Sequence, residues 1–221
     1  MIEADAFYTE AQRRLQREHD SERLADRVVE QIVSDELSEM HVPFIESRDF
    51  FFLATVDGRG MPTVSYKGGA PGLVHVEGPR SVVFPNYDGN GMFKSMGNAA
   101  ETGAVGMLFI DMETPHRVRL QGHATLSPDD RAMARYPGAN LLVRVALESV
   151  FLNCARYVHK HERVERSPYV PDADGSQPYP SWKRIDGVQD ALPARDRGRA
   201  EAEGGTIGFE EYVEKVQKGV S

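Results

Sequence analysis

Short runs of β-branched and aromatic residues, separated by Gly, Pro, Asn and Asp, dominate the middle of this chain. Such runs predict β-strands, because branched and aromatic side chains pack well on a pleated sheet. The predicted strands cover 50–56, 61–66, 73–76, 82–84, 104–110, 116–126 and 141–152, although a helix also fits part of the last run. Polar and apolar residues alternate in 116–126, which places Arg117, Arg119, Gln121 and His123 on one face.

The two ends of the chain have a different pattern. Residues 6–34 contain no Gly or Pro, and Leu15, Leu24, Val28 and Ile32 recur at helical intervals. A second helix is predicted over 35–45, with Pro43 bending it or ending it early. After residue 167 the composition shifts to Pro, Asp, Gly and Ser, and only 209–217 predicts a further helix.

These patterns divide the chain into three parts. We expect a helical arm over 1–48, a β domain over 49–166, and an irregular C-terminal extension over 167–221 that ends in a short helix. Six or seven short strands in close succession indicate an antiparallel barrel. A doubly wound parallel sheet would require strands and helices in regular alternation. The sequence therefore predicts a mainly β protein, a β-barrel with peripheral helices, in which Ser127 caps a small helix that starts over 127–130.

Composition and charge narrow the function. The net charge is −8 and the pI is about 5.4, which argues against nucleic-acid binding by the whole surface. The single Cys154 excludes an intramolecular disulfide and a multi-cysteine metal site, and His159 with His161 lacks a third ligand, so we expect no metal. No apolar run approaches the roughly 20 residues of a membrane span, and no signal core is visible. We expect a cytoplasmic protein.

The stretch 81–98 carries the candidate chemistry. A strand ends at Pro85, residues 88–91 form a turn rich in Gly and Asn, and a short helix follows with Lys94 and Ser95 in its first turns. The free N–H groups and positive dipole end of a helix start suit a phosphate group. The same residues also fit a plain turn with a solvated lysine. Their spacing matches neither a Walker loop nor a dinucleotide fingerprint.

Residues 50–126 resemble the pyridoxamine 5'-phosphate oxidase-like, FMN-binding split-barrel family. The resemblance rests on five stretches in matching order and spacing, namely 50–62, 63–72, 84–99, 104–111 and 117–126. They cover about a third of the chain, and the segment 151–160 also resembles the closing segment of the family.

The resemblance implies a six-stranded antiparallel split barrel, a homodimer and FMN bound at the subunit interface. It places the return strand of the first hairpin along the flavin ring, with Val64, Ser65 and Tyr66, and directs Lys67 toward the phosphate. The turn and helix would grip the phosphate and ribityl chain through Asn90, Gly91, Met92, Lys94 and Ser95. The remaining contacts would come from Arg117 and Arg119, and from the closing segment, which the second subunit could supply, through Asn153, Arg156 and Lys160.

Two departures argue against oxidation of vitamin B6 itself. The strand before Lys67 carries no Arg, and the chain does not end in the Arg- and Pro-containing segment of the true oxidases. The sequence therefore favours another FMN-dependent oxidoreductase, which takes hydride from a nicotinamide or a small organic substrate. The alternatives are a deazaflavin-dependent reductase, a flavin- or haem-binding carrier or sensor, and a barrel that serves only as a structural dimer.

The C-terminal extension is long and irregular, and such segments often form lids or binding loops. We expect 167–221 to cover the active site. The lone Trp182 lies beside Lys183 and Arg184 in this segment, and we expect it to pin the tail rather than to contact a ligand. No side chain in the sequence indicates a protein nucleophile or general acid.

Overall fold

The computed structural model describes residues 2–128 and 130–220. The chain forms two compact units. The first comprises Met1–Arg166 with Val170–Gly175, and the second comprises Ser167–Tyr169 with Ser176–Ser221.

One antiparallel sheet forms the centre of the first unit. Its strands are β1 (Val33–Ser34), β2 (Phe50–Val56), β3 (Pro62–Gly68), β4 (His75–Gly78), β5 (Ser81–Asn86), β6 (Ala104–Asp111), β7 (His116–Ser127) and β8 (Leu141–Leu152). They lie in the order β3-β2-β6-β7-β8-β5-β4, and β1 pairs with β8. Because β3 and β4 end this path, and no ladder joins them in the described part of the chain, the barrel is split along one side.

The predicted class, a mainly β split barrel with peripheral helices, is confirmed, but the sheet has eight strands rather than six and is not closed. All seven predicted runs form strands. The run 141–152 is one continuous strand, so the helix alternative there is wrong. The eighth strand, β1, lies inside the predicted N-terminal helix, where the β-branched Val33 is buried and pairs with Phe151.

Alternation along the strands builds the core. In β2 every second side chain is buried, and Phe51 and Leu53 have no exposed surface. The Phe51 ring lies 5.0 Å from that of Phe84 and 5.3 Å from that of Phe109, measured between ring centroids. Burial of each such side chain contributes roughly 1.5–3 kcal/mol, so this aromatic cluster stabilises the interior of the barrel.

Five helices surround the sheet, namely α1 (Ala4–Phe7), α2 (Glu10–Glu18), α3 (Glu22–Ile32), α4 (His41–Glu46) and α5 (Lys94–Thr102). The single helix predicted over 6–34 is therefore broken. Thr9 and Gln12 form a capping box that starts α2, and Asp20 has a positive φ of 52° between α2 and α3. Both features interrupt the helical backbone.

Two predictions about helix ends are wrong. Pro43 neither bends nor ends α4, because it lies in the first turn, where its missing N–H has no helical partner to lose. Ser127 does not cap a helix but ends β7. Asp130 caps a 3-10 helix over Arg131–Arg135 instead, since its side chain accepts a hydrogen bond from the Ala132 N–H at 2.8 Å. Asp129, also in the predicted start, lies outside the described residues.

The second unit consists of short helical turns and a small core. It contains 3-10 helices over Ser181–Arg184, Asp186–Ala191 and Ala194–Asp196, followed by α6 (Arg199–Ala202) and α7 (Phe209–Gln217). The bounds of α7 match the predicted terminal helix. An ion pair lies inside this unit, with Lys183 Nζ 2.8 Å from Asp196 Oδ2 and both side chains buried. Its buried apolar residues are Tyr179, Ile185, Leu192, Ala200 and Ile207.

We predict that Gly122→Ala destabilises the first unit by about 2–3 kcal/mol. Gly122 lies where the register of β7 shifts against β8, and a Cβ atom there would come within 2.1 Å of the Ala146 carbonyl oxygen. Gly106→Ala is the matched control, because its Cβ would meet Ala54 at an ordinary 3.7 Å. Urea unfolding of both variants checks this, and equal losses of stability would contradict it.

Candidate functional site

A cavity of about 420 Å³ lies on the split side of the barrel. Its walls are Thr63 and residues 65–68 of β3, Leu73, and the continuous segment 85–96 that joins β5 to α5. Its volume falls within the roughly 300–1,000 Å³ that is usual for small-molecule sites.

Strand β3 gives this cavity a hydrogen-bonding wall. It pairs with β2 on one side and is the end strand of the sheet. An end strand presents N–H and C=O groups that no neighbouring strand uses. The side chains of Thr63, Ser65 and Lys67 alternate with the outward Val64 and Tyr66 along it. The backbone edge and these three polar side chains can therefore meet one ligand.

The opposite wall is a tight turn that leads directly into a helix. Asn90 Oδ1 accepts a hydrogen bond from the Met92 N–H at 3.1 Å, Gly91 has φ +77°, and Phe93 has φ +48°. The left-handed conformation of Phe93 is uncommon for a residue other than glycine. Helix α5 then begins at Lys94 without a side-chain cap from Phe93. The positive end of α5 thus lies at the cavity.

A row of polar side chains fixes the start of α5 against the hairpin. Ser95, Asn98 and Thr102 are three and four residues apart, so they share one face of the helix. They donate hydrogen bonds, in that order, to Ser65 Oγ at 3.1 Å, Thr55 Oγ1 at 3.1 Å and the Val56 carbonyl at 2.9 Å. Sequence reasoning did not identify Asn98 or Thr102, although their helical spacing from Ser95 was visible.

Two lysines make part of the cavity positive. Burial lowers the pKa of Lys67, and its ammonium group has no hydrogen-bond or ion-pair partner among the described residues. Lys94 Nζ lies 3.5 Å from Oδ2 of Asp57, a residue of the turn between β2 and β3. Asp88 also lines the cavity and adds a negative charge. The lining therefore carries two positive groups and one negative group, with a second carboxylate beside Lys94.

Eight of the fourteen residues predicted to contact a cofactor line this one cavity, namely Ser65, Tyr66, Lys67, Asn90, Gly91, Met92, Lys94 and Ser95. Val64 does not, because it is 68% exposed on the other face of β3. The Tyr66 ring stacks on the Phe50 ring at 5.2 Å, so it belongs to an outer aromatic surface.

The other five predicted residues lie away from the cavity walls, and they are Arg117, Arg119, Asn153, Arg156 and Lys160. Arg119 is exposed on β7, between Leu108 of β6 and Phe151 of β8. Arg117 donates to the Cys154 carbonyl. Arg117 Nε and Asn153 Oδ1 are buried, yet they have no hydrogen-bond partner among the described residues. Buried polar groups without a partner reduce stability.

Membrane-spanning helices and metal-binding clusters are both absent from the described residues. None of the helices in 2–128 and 130–220 is long and apolar enough to cross a membrane. Within the same residues, His, Cys, Asp and Glu form no group of three or more that could hold a metal ion.

The sequence matches one known protein family. The family described as pyridoxamine 5'-phosphate oxidase matches residues 37–170, which include β2 to β8 and the whole cavity. No curated protein matches the sequence significantly.

Three solved structures illustrate the similarity. A putative pyridoxamine 5'-phosphate oxidase from Lactobacillus delbrueckii is 24% identical, with 53% of this chain and 95% of that chain covered and a TM-score of 0.44. An FMN-binding protein from Syntrophomonas wolfei is 13% identical, with 63% and 97% covered and a TM-score of 0.43. The haem storage protein HutZ from Vibrio cholerae is 18% identical, with 52% and 93% covered and a TM-score of 0.38.

We predict that Lys67→Met stabilises the ligand-free protein by up to about 1 kcal/mol, or roughly 2–4 °C in melting temperature at this chain length. The reason is that a partly buried ammonium group without a partner has lost hydration that nothing replaces. Lys67→Arg is the control, because it keeps the charge and should bring no gain. A melting temperature of Lys67→Met at or below that of Lys67→Arg would contradict this explanation.

Proposed function

Because the chain belongs to the pyridoxamine 5'-phosphate oxidase family, we propose that the cavity beside β3 binds FMN and that the protein is a flavin-dependent oxidoreductase. The observation that carries this proposal is the composition of the cavity walls. One wall is the free edge of a strand, and the other is the uncapped start of a helix with Lys94 and Ser95 in its first turn.

These walls fit the chemistry of FMN. A flavin ring is planar and has hydrogen-bonding groups along its rim, which suits the backbone edge of β3 at residues 64–66. A phosphate group suits a helix start, a lysine and a hydroxyl, which α5 provides together at Lys94 and Ser95. Lys67 adds a second cation whose ammonium group lacks a partner among the described residues.

The charge balance of the cavity supports a homodimer. Among the described residues the cavity walls carry two cations, Lys67 and Lys94, and Lys94 shares Asp57 with Arg59. A phosphate that carries close to two negative charges would therefore gain from further cations. Arg117, Arg119, Arg156 and Lys160 lie away from the cavity walls. We propose that a second subunit brings these residues to the site.

When bound, FMN would accept and donate hydride. The role of the chain would be to hold the phosphate, to orient the ring along β3 and to exclude water. We assign no nucleophile or proton donor. The hydride donor would be a nicotinamide or a small organic molecule. Oxidation of pyridoxamine phosphate is disfavoured, because Pro62-Thr63-Val64-Ser65-Tyr66 provides no Arg before Lys67.

The rival proposals differ in the cofactor. A deazaflavin would use the same backbone edge, and the geometry does not separate it from FMN. A haem carrier is less compatible, because the described cavity walls contain no His or Cys, and only tyrosines and methionines there could bind iron. The absorbance spectrum of the purified protein distinguishes the three: flavin bands support the proposal, whereas a Soret band or the bands of a deazaflavin would replace it.

We predict that Lys94→Ala weakens FMN binding by about ten- to a hundredfold and leaves riboflavin binding nearly unchanged. A charge-assisted hydrogen bond contributes roughly 1.5–3 kcal/mol, and riboflavin lacks the phosphate that would receive it. Quenching of flavin fluorescence measures both affinities. Lys218→Ala, a change of an exposed lysine in α7's C-terminal cap, is the control. Equal losses for FMN and riboflavin would show that Lys94 does not contact the phosphate.

We predict that light scattering at micromolar concentration, with FMN saturating, gives about twice the chain mass of 24.6 kDa. Complementation tests the shared site. Lys94→Ala and Arg119→Glu each damage both sites of a homodimer, but a mixed dimer has one site in which neither change is present. Subunit exchange between the two variants should therefore restore roughly a quarter of the FMN sites. A monomer mass, or no restoration in mixed dimers, would contradict the shared site.

A further inference from the structure

The two carboxylate oxygens of Asp57 have different partners. Oδ1 accepts hydrogen bonds from the backbone N–H groups of Arg59 and Met61, each at 3.0 Å, and so shapes the turn between β2 and β3. Oδ2 contacts only cationic side chains, with Arg59 Nη2 at 2.8 Å and Lys94 Nζ at 3.5 Å. One oxygen therefore belongs to the fold, and the other contacts a lysine of the cavity.

Lys94 can readily exchange its contact with Asp57 for a contact with another anion. At 3.5 Å it is the longest of the bonds that Asp57 makes, and the Lys94 side chain is 46% exposed. The Asp57 side chain is only 9% exposed, yet Arg59 and the two backbone N–H groups would still satisfy it if Lys94 moved away. Hydrogen bonds from Arg59, then from the Met61 N–H, hold the pKa of Asp57 well below its usual range, so it is ionised at any working pH.

We propose that Asp57 is a resident counter-ion for Lys94, which competes with the phosphate of the ligand and thereby sets the affinity of the cavity for anions. This inference rests on the phosphate site of the proposed function. In the free protein Asp57 neutralises Lys94, and on binding Lys94 transfers to the phosphate while Arg59 keeps Asp57 satisfied. Asp57 is thus a positioning residue, since it acts on the ligand through Lys94.

The two possible roles of Asp57, as a counter-ion or as a purely structural residue, predict opposite changes in phosphate affinity when its charge is removed. If Asp57 only supports the turn, then loss of its charge and loss of Arg59 both loosen the turn and both weaken binding. If Asp57 competes with the phosphate, removal of its charge strengthens phosphate binding. Removal of Arg59 strengthens the pairing of Asp57 with Lys94, and so weakens phosphate binding.

The experiment compares Asp57→Asn with Arg59→Gln. Asn keeps the oxygen that accepts from the two backbone N–H groups, and the Arg59 side chain is 79% exposed, so both variants should fold. Calorimetric titrations with FMN, riboflavin and inorganic phosphate are made at low and high salt. We expect Asp57→Asn to tighten FMN and phosphate binding by about three- to tenfold at low salt, and Arg59→Gln to weaken both by about two- to threefold.

Riboflavin affinity should not change in either variant, and both effects should disappear in a Lys94→Met background. Weaker FMN binding by Asp57→Asn at an unchanged melting temperature would overturn the inference, because Asp57 would then hold Lys94 in place for the phosphate. Equal effects on riboflavin would overturn it as well. If inorganic phosphate responds as expected but FMN does not bind, the counter-ion role stands and the proposed function fails. If neither ligand binds, both fail.

Discussion

The split between β3 and β4 is the constraint on which the rest of the site depends. If a strand paired with the second edge of β3, its backbone groups would be used within the sheet and the cavity would be closed. On this open side the chain leaves the sheet after β5, and residues 87–93 lead to the start of α5. The hydrogen bond from Ser95 to Ser65 and that from Asn98 to Thr55 then hold this helix beside the hairpin, so the two walls keep a fixed separation.

Most of the fold could be predicted from the sequence, because most of it is encoded locally. Each of the seven predicted strands has its own run of branched and aromatic residues, and the alternation in 116–126 correctly separates buried from exposed positions. The exceptions are features that depend on tertiary contacts. Strand β1 is only two residues long, and it follows directly on α3, where Val33 becomes extended and pairs with Phe151 of β8.

The residues of the site also divide into those that lie in continuous stretches of sequence and those that only tertiary contacts position. The predicted contacts that line the cavity come from two continuous stretches, 65–67 and 90–95, and it was the family resemblance that grouped these two stretches. Arg117, Arg119 and Asn153 lie on other strands or after them, and no pattern in the chain shows which surface they face. No local pattern indicates the contact between Asp57 and Lys94, because it joins residues 37 positions apart.

The central claim is that the cavity beside β3 binds FMN, with the phosphate at the start of α5. A crystal structure of the protein grown with FMN tests this claim most directly. The account predicts the phosphate within hydrogen-bonding distance of Lys94 and Ser95, and the ring along the backbone edge of residues 64–66. FMN bound at a different surface, or bound here with its phosphate directed away from α5, would contradict it.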